Sequence, residues 1–117
     1  MEKNIFLQEL ISRGVAVVCR TPEEVVELGK MVGILYPGYG SLISSHTKSF
    51  NHPECKGEIA IRLEKYDKLR LDYGWDFPSY YIRQNMKLVY FSDLYCDLGE
   101  IDAVIDKHDL DMLFALV

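Results

Sequence analysis

Two groups of residues in this chain have types and spacings that could do chemistry. His46, His52 and Cys55 lie close together, and Cys19 or Cys96 would complete a set of four ligands of the kind zinc accepts. The H-x5-H-x2-C spacing fits none of the usual zinc patterns. Cys19 also sits in a valine-rich run, where a free cysteine behaves as a small hydrophobe. A metal centre is therefore not expected. Cys55 has Lys56 beside it, which favours a thiolate, and a histidine could meet it in space as a nucleophilic pair. An incidental loop cysteine is the stronger reading. No motif identifies a reaction, so no catalytic residue and no cofactor are assigned, and the chain reads as non-enzymatic.

The second group is Arg62, Arg70, Trp75, Tyr80 and Arg83, with Tyr81 among them. Arginine forks beside aromatic faces hold ligands that carry a phosphate and a ring, or form protein hot spots. A nucleotide signal is the small molecule such a set would take. The competing use is burial: Trp75, Phe77 and one of the two tyrosines can fill a core under a short helix. Tyr36-Pro37-Gly38-Tyr39-Gly40-Ser41 is the clearest turn. Its two glycines could offer N–H groups to a phosphate, but the strand-before, helix-after context of a phosphate loop is missing. It reads as a structural turn.

The elements that must position these residues are organised around 15–32. Val15 to Arg20 is too short for a stable helix and rich in valine, as a strand buried on both faces is. Thr21-Pro22-Glu23-Glu24 is a helix start: Thr21 can cap Glu24, Glu24 can reach back to the Thr21 backbone, and Pro22 takes the first helical position. Val25, Leu28, Gly29 and Val32 then form one apolar stripe, closed by Gly33. Gly29 on that stripe implies close approach of the helix to the sheet.

Before this unit, Ile5 to Arg13 reads as a helix capped by Asn4 and ended by Gly14. After it, Leu42 to Ser45 suggests a short strand and Thr47 to Gly57 a mobile surface loop. Ile59, Ile61 and Leu63 alternate with Ala60, Arg62 and Glu64, and Leu69, Leu71 and Tyr73 alternate with Arg70 and Asp72. That predicts an antiparallel hairpin with Arg62 and Arg70 on its solvated face. The pattern breaks at Gly74; Pro78 opens a short helix, Met86 to Phe91 is a strand, and Gly99 onward is helical. The order predicts a single α+β domain over 1–117, with a mainly antiparallel sheet and helices packed on one face.

The chain has 117 residues and a net charge of −5, unevenly placed. Residues 1–92 hold 12 Lys/Arg against 11 Asp/Glu, whereas 93–117 hold seven acids against Lys107 alone. A basic face for nucleic acid is not suggested, and an acidic segment that meets a basic partner is. No apolar run approaches the roughly 18 residues of a membrane span. No signal peptide is read, and three cysteines without CxxC spacing suit a reducing cytoplasm.

The C-terminal helix, about 101–117, carries two stripes. Ile101, Val104, Ile105, His108, Met112 and Ala115 form one; Leu110, Leu113, Phe114 and Val117 form a second, nearly opposite. A helix end that is apolar all round is buried or shared with a partner. The second stripe, rimmed by Asp106, Asp109 and Asp111, therefore predicts a protein interface, with a two-fold homodimer as its simplest form.

The helix–strand–helix unit resembles that of small accessory proteins of bacteriophages and prophages, in which a V-x-V-x-C-type strand and a T-x-E-E helix open the chain. Tyr80-Tyr81 through Lys87-Leu88-Val89-Tyr90-Phe91-Ser92-Asp93-Leu94 is similar to the aromatic-then-strand ending of the same group. The likeness covers about a third of the chain; the 47–57 stretch and the acidic C-terminal helix depart from it. The resemblance implies a viral product that acts in the bacterial cytoplasm by binding and inhibiting a host protein, such as a defence system. Sequestration of a nucleotide signal is the alternative.

Overall fold

The computed structural model describes residues 2–96 and 98–106, with side chains from residue 5 onward. Helix α1 (Glu2–Arg13) leads into strand β1 (Val15–Cys19) and helix α2 (Pro22–Leu35). Helix α3 (Gly40–Ser44) and a 3-10 helix (Ser45–Asn51) precede the hairpin strands β2 (Ile59–Lys65) and β3 (Leu71–Asp76). Helix α4 (Pro78–Arg83), strand β4 (Lys87–Tyr90) and 3-10 turns at Phe91–Tyr95 and Leu98–Glu100 follow, and 101–106 is helical. The four strands form one sheet in the order β3-β2-β1-β4. β1 is antiparallel to β2, β2 to β3, and β1 runs parallel to β4. The α+β architecture is thus a mixed sheet in which antiparallel pairing dominates.

All five residues of β1 are buried, as a central strand with both faces covered requires. Its alternation sorts the molecule into two layers. Val15, Val17 and Cys19 face the main core with Ile59, Ile61, Leu63 and Val89, under Phe6, Leu7, Leu10 and Ile11 of α1 and Val25, Leu28 and Val32 of α2. Ala16 and Val18 face the other way and meet Ala60, Leu88 and Tyr81. That second layer is roofed by the six-residue α4.

The start of α2 holds its free donors as the sequence implies, with one shift. Glu24 N donates to Thr21 Oγ1 at 3.2 Å, but the Glu24 carboxylate accepts from Arg20 N at 2.6 Å rather than from Thr21. With these donors used locally, the helix start is a closed cap. Gly14 ends α1 at φ 74°, its N–H donating to the Ile11 carbonyl. α1 begins at Glu2, so Asn4 lies inside the helix and does not cap it.

Six other expectations are corrected. Leu42 to Ser44 belong to α3 and Ser45 opens the 3-10 helix, so 42–45 is not a strand, and α2 runs past Gly33 to Leu35. The cause is a close helix–helix crossing. A Cβ at Gly29 would lie 2.7 Å from the Gly40 carbonyl oxygen and against the Ser44 hydroxyl, and Gly33 faces the Gly40 Cα. Gly29 therefore admits α3 rather than the sheet. The first half of the expected 47–57 loop is the 3-10 helix, tied down by Phe50 on the core and by His46 against Tyr73 (centroids 6.1 Å).

The remaining two corrections concern β3. It continues through Gly74 to Asp76, so the glycine does not break the strand. It begins at Leu71, opposite Lys65, so Arg70 lies in the turn and not on the strand's solvated face. Among the described residues no helix is long and apolar enough to cross a membrane. Ile101, Val104 and Ile105 of the first C-terminal stripe are buried against the main core, while its His108, Met112 and Ala115 lie outside the described residues. Leu110, Leu113, Phe114, Val117, Asp109 and Asp111 lie outside the described residues; Asp106 is described and exposed.

Candidate functional site

The five residues singled out for a phosphate-and-ring ligand are distributed over four places. Arg62 and Tyr80 line one cleft on the α4 side of the sheet. Arg70 is at the hairpin tip, Trp75 is on the opposite sheet face, and Arg83 is exposed in the last turn of α4. Trp75 stands edge-on to Phe77 (5.5 Å) and His52 (6.4 Å) and packs against the main core. Burial of the aromatics accounts for Trp75, Phe77 and the buried Tyr81.

Arg62 is positioned by strand register. It lies opposite Gly74, and a Cβ there would sit 3.4 Å from Arg62 Nη2 and 3.8 Å from the Tyr81 hydroxyl. The glycine thus leaves the space that the guanidinium occupies. From there Nη2 donates to Asp72 Oδ1 at 3.2 Å and Nη1 reaches Asp72 Oδ2 at 3.1 Å, a forked pair; Nη1 also donates to Glu64 Oε2 at 3.2 Å. This pairing holds Asp72 below the usual carboxylate range. Burial pushes the Tyr81 phenol up.

The cleft, about 460 Å³, is walled by the end of α1, by β2, and by α4 with the turn that follows it. Arg13, Arg62, Lys87 and the carboxylate of Glu64 line it, and Arg13 is also paired with Asp102 at 2.6 Å and Glu9 at 3.2 Å. Tyr80, 46% exposed and edge-on to Tyr81 at 5.4 Å, supplies an aromatic wall. Gln84 and Asn85 bring two carboxamides. Asn85 has φ 57°, a left-handed conformation that asparagine tolerates better than most residues, and it turns the chain from α4 into β4.

At the hairpin tip a single carboxylate organises the turn. Asp67 Oδ1 accepts the N–H groups of Leu69 (2.9 Å) and Arg70 (2.8 Å), and Oδ2 accepts Arg70 Nε at 2.7 Å. The Leu69 N–H and the Arg70 side chain together hold Asp67 below the usual carboxylate range. Capture of residues 69 and 70 by Asp67 is why Arg70 leaves the expected strand. Its guanidinium lies over the Tyr66 ring, 4.4 Å from the centroid. The result presents Tyr66 at 66% and Leu69 at 77% exposure.

No family model, curated protein or solved structure matches this chain.

The histidine–cysteine group stays dispersed. His52 Nδ1 accepts from Glu54 N, Cys55 Sγ is directed at the Glu58 carbonyl at 3.8 Å, and Cys19 is buried, its thiol pushed up by burial. His46 Nε2 is buried without a hydrogen-bond partner among the described residues, and burial holds its pKa below the ordinary histidine value. Among the described residues no three His, Cys, Asp or Glu side chains gather as metal ligands.

Sequence reasoning missed Arg13, Gln84, Asn85 and Lys87 as cleft residues and Tyr66, Asp67 and Leu69 as a unit. The tip did leave a signal: an aspartate placed two and three residues before the N–H groups it accepts is an ordinary turn device. The cleft left little, because its walls come from segments far apart in the chain.

Proposed function

We propose that this chain is a non-enzymatic, phage-encoded binding protein that acts in the bacterial cytoplasm by engaging and inhibiting a host protein, such as a component of a defence system. The phage origin rests on the resemblance of the 15–32 unit and the 80–94 stretch. The observation that supports binding is the hairpin tip. Tyr66 and Leu69 stand in water on a turn fixed by three hydrogen bonds to Asp67 and by an arginine over the tyrosine ring. An aromatic, an aliphatic and an arginine are the side chains that anchor protein interfaces. A turn already ordered loses little freedom on docking, which raises affinity without adding contacts.

Affinity capture from bacterial lysate tests this. Wild-type protein should retain one host protein in stoichiometric amount, and Tyr66→Ala with Leu69→Asp should lose it while keeping the wild-type circular dichroism spectrum. Equal retention by both would contradict the reading. Asp67→Ala is a finer probe, since it removes the ordering and leaves Tyr66 and Leu69 in place; it should weaken capture without abolishing it.

The proposal includes self-association through Leu110, Leu113, Phe114 and Val117, rimmed by Asp106, Asp109 and Asp111. Its support is sequence periodicity, which sets this stripe opposite one that begins with the buried Ile101, Val104 and Ile105. Light scattering at high micromolar concentration should give a dimer, and Leu113→Asp with Phe114→Asp a folded monomer. A monomeric wild type would remove this part.

A further inference from the structure

We propose that the cleft beside α4 is a second, separate binding site, for a nucleoside monophosphate. Its volume of about 460 Å³ is in the range of small-molecule sites. Its lining divides by chemistry into the three parts such a ligand needs. Arg62 suits a phosphate, with Arg13 and Lys87 also in the lining; Arg13 is itself held by Asp102 at 2.6 Å and by Glu9 at 3.2 Å, so Arg62 is the group a phosphate meets. The half-exposed Tyr80 ring offers an aromatic surface for a base. The carboxamides of Gln84 and Asn85 each present a donor and an acceptor, which is what reading a base edge takes.

The ion pairs at Arg62 decide how the phosphate enters. Asp72 holds the guanidinium by a two-point fork, which fixes its orientation beside Gly74. Glu64 shares only Nη1, at 3.2 Å, and its side chain is 43% exposed. A phosphate oxygen on Nη1 therefore displaces Glu64 and leaves the Asp72 fork intact. Glu64 acts as a stand-in anion whose removal favours the ligand, and Arg62 as the group that binds it. The site shares no lining residue with the hairpin tip, so either can fail without the other.

The test is a titration of wild type and variants, by calorimetry and by amide chemical shifts, with AMP, GMP, CMP, UMP, adenosine and inorganic phosphate as probes. At least one nucleoside monophosphate should bind saturably, about tenfold or more tighter than either inorganic phosphate or adenosine. Glu64→Gln should tighten that binding several-fold, and Arg62→Ala should weaken it at least tenfold. Tyr80→Ala should reduce binding of the monophosphate to the level of inorganic phosphate, and it serves as the second probe if Arg62→Ala does not fold. The proposal is overturned if no monophosphate saturates at millimolar concentration, if inorganic phosphate binds as well as the best of them, or if Arg62→Ala or Glu64→Gln leaves affinity unchanged.

Discussion

One sheet presents two different faces, and strand β2 carries both. Ile59, Ile61 and Leu63 point into the main core and are fully buried, beneath α1 and α2. Ala60, Arg62 and Glu64 point the other way, where the six-residue α4 covers only the middle of the sheet. Under α4 the second face is apolar, with Ala16, Val18, Ala60 and Leu88 meeting Tyr81. Beyond it the same face turns polar: Arg62, Glu64 and Asp72 on one side, and Arg20 over Tyr90 (4.1 Å) and near Glu58 on the other. The first face is closed by packing, so its side chains are committed to stability. The second is half-roofed, and the charged groups at the margin of α4 remain within reach of a ligand.

The largest effect that sharpens this contrast comes from neighbours in one strand. Ile61→Ala, at a fully buried site, should cost about 2–5 kcal/mol, the usual range for deleting a buried aliphatic side chain. Urea denaturation measures it, and a loss under about 1 kcal/mol would mean the core collapses around the gap. Thr21→Ala removes the cap that launches α2 over the first face and should cost about 1 kcal/mol, whereas Pro22→Ala should cost little. A wild-type melting temperature for Thr21→Ala would show that the cap is dispensable.

On the second face Arg62→Ala should lose no more than about 1 kcal/mol, because its partners Glu64 and Asp72 are largely in water. A loss comparable to that of Ile61→Ala would break the comparison, since Arg62 would then be a structural residue.

The smallest effect belongs to pH. His46 is held below its ordinary pKa by burial, with Nε2 unpartnered among the described residues and Tyr73 as its aromatic neighbour. A lowered folded-state pKa means the unfolded chain takes the proton first. Stability on this account is complete above the ordinary histidine value, near 6.5, and declines as pH falls toward the lowered one. His46→Phe should flatten that part of the stability profile. An unchanged slope would place its origin elsewhere.

Much of the first face was legible in the sequence, because burial there obeys simple periods. The valine run, the Thr21–Glu24 cap and the alternation of Ile59, Ile61 and Leu63 each declare an element through local pattern alone. What escaped depended on a partner distant in sequence or on one side chain overriding a pattern. Gly29 and Gly40 meet across two helices, so α3 looked like a strand. Gly74 looked like a strand end because the guanidinium that fills its space comes from Arg62 on the neighbouring strand. Asp67 pulled Arg70 out of the alternation by binding its backbone and its side chain. The ligand cluster was scattered for the same reason: strand alternation places Trp75 and Arg62 on opposite faces once the register of β3 is fixed.

Site-specific photo-crosslinking in bacterial cells is the most direct test of the proposed docking of the hairpin tip on a host protein. A photoreactive residue replaces Leu69 at the tip or, as control, the exposed Lys30 on α2. Position 69 should give one discrete adduct with a host protein, and position 30 should give none. The same pattern from both positions, or no adduct from position 69, would contradict it.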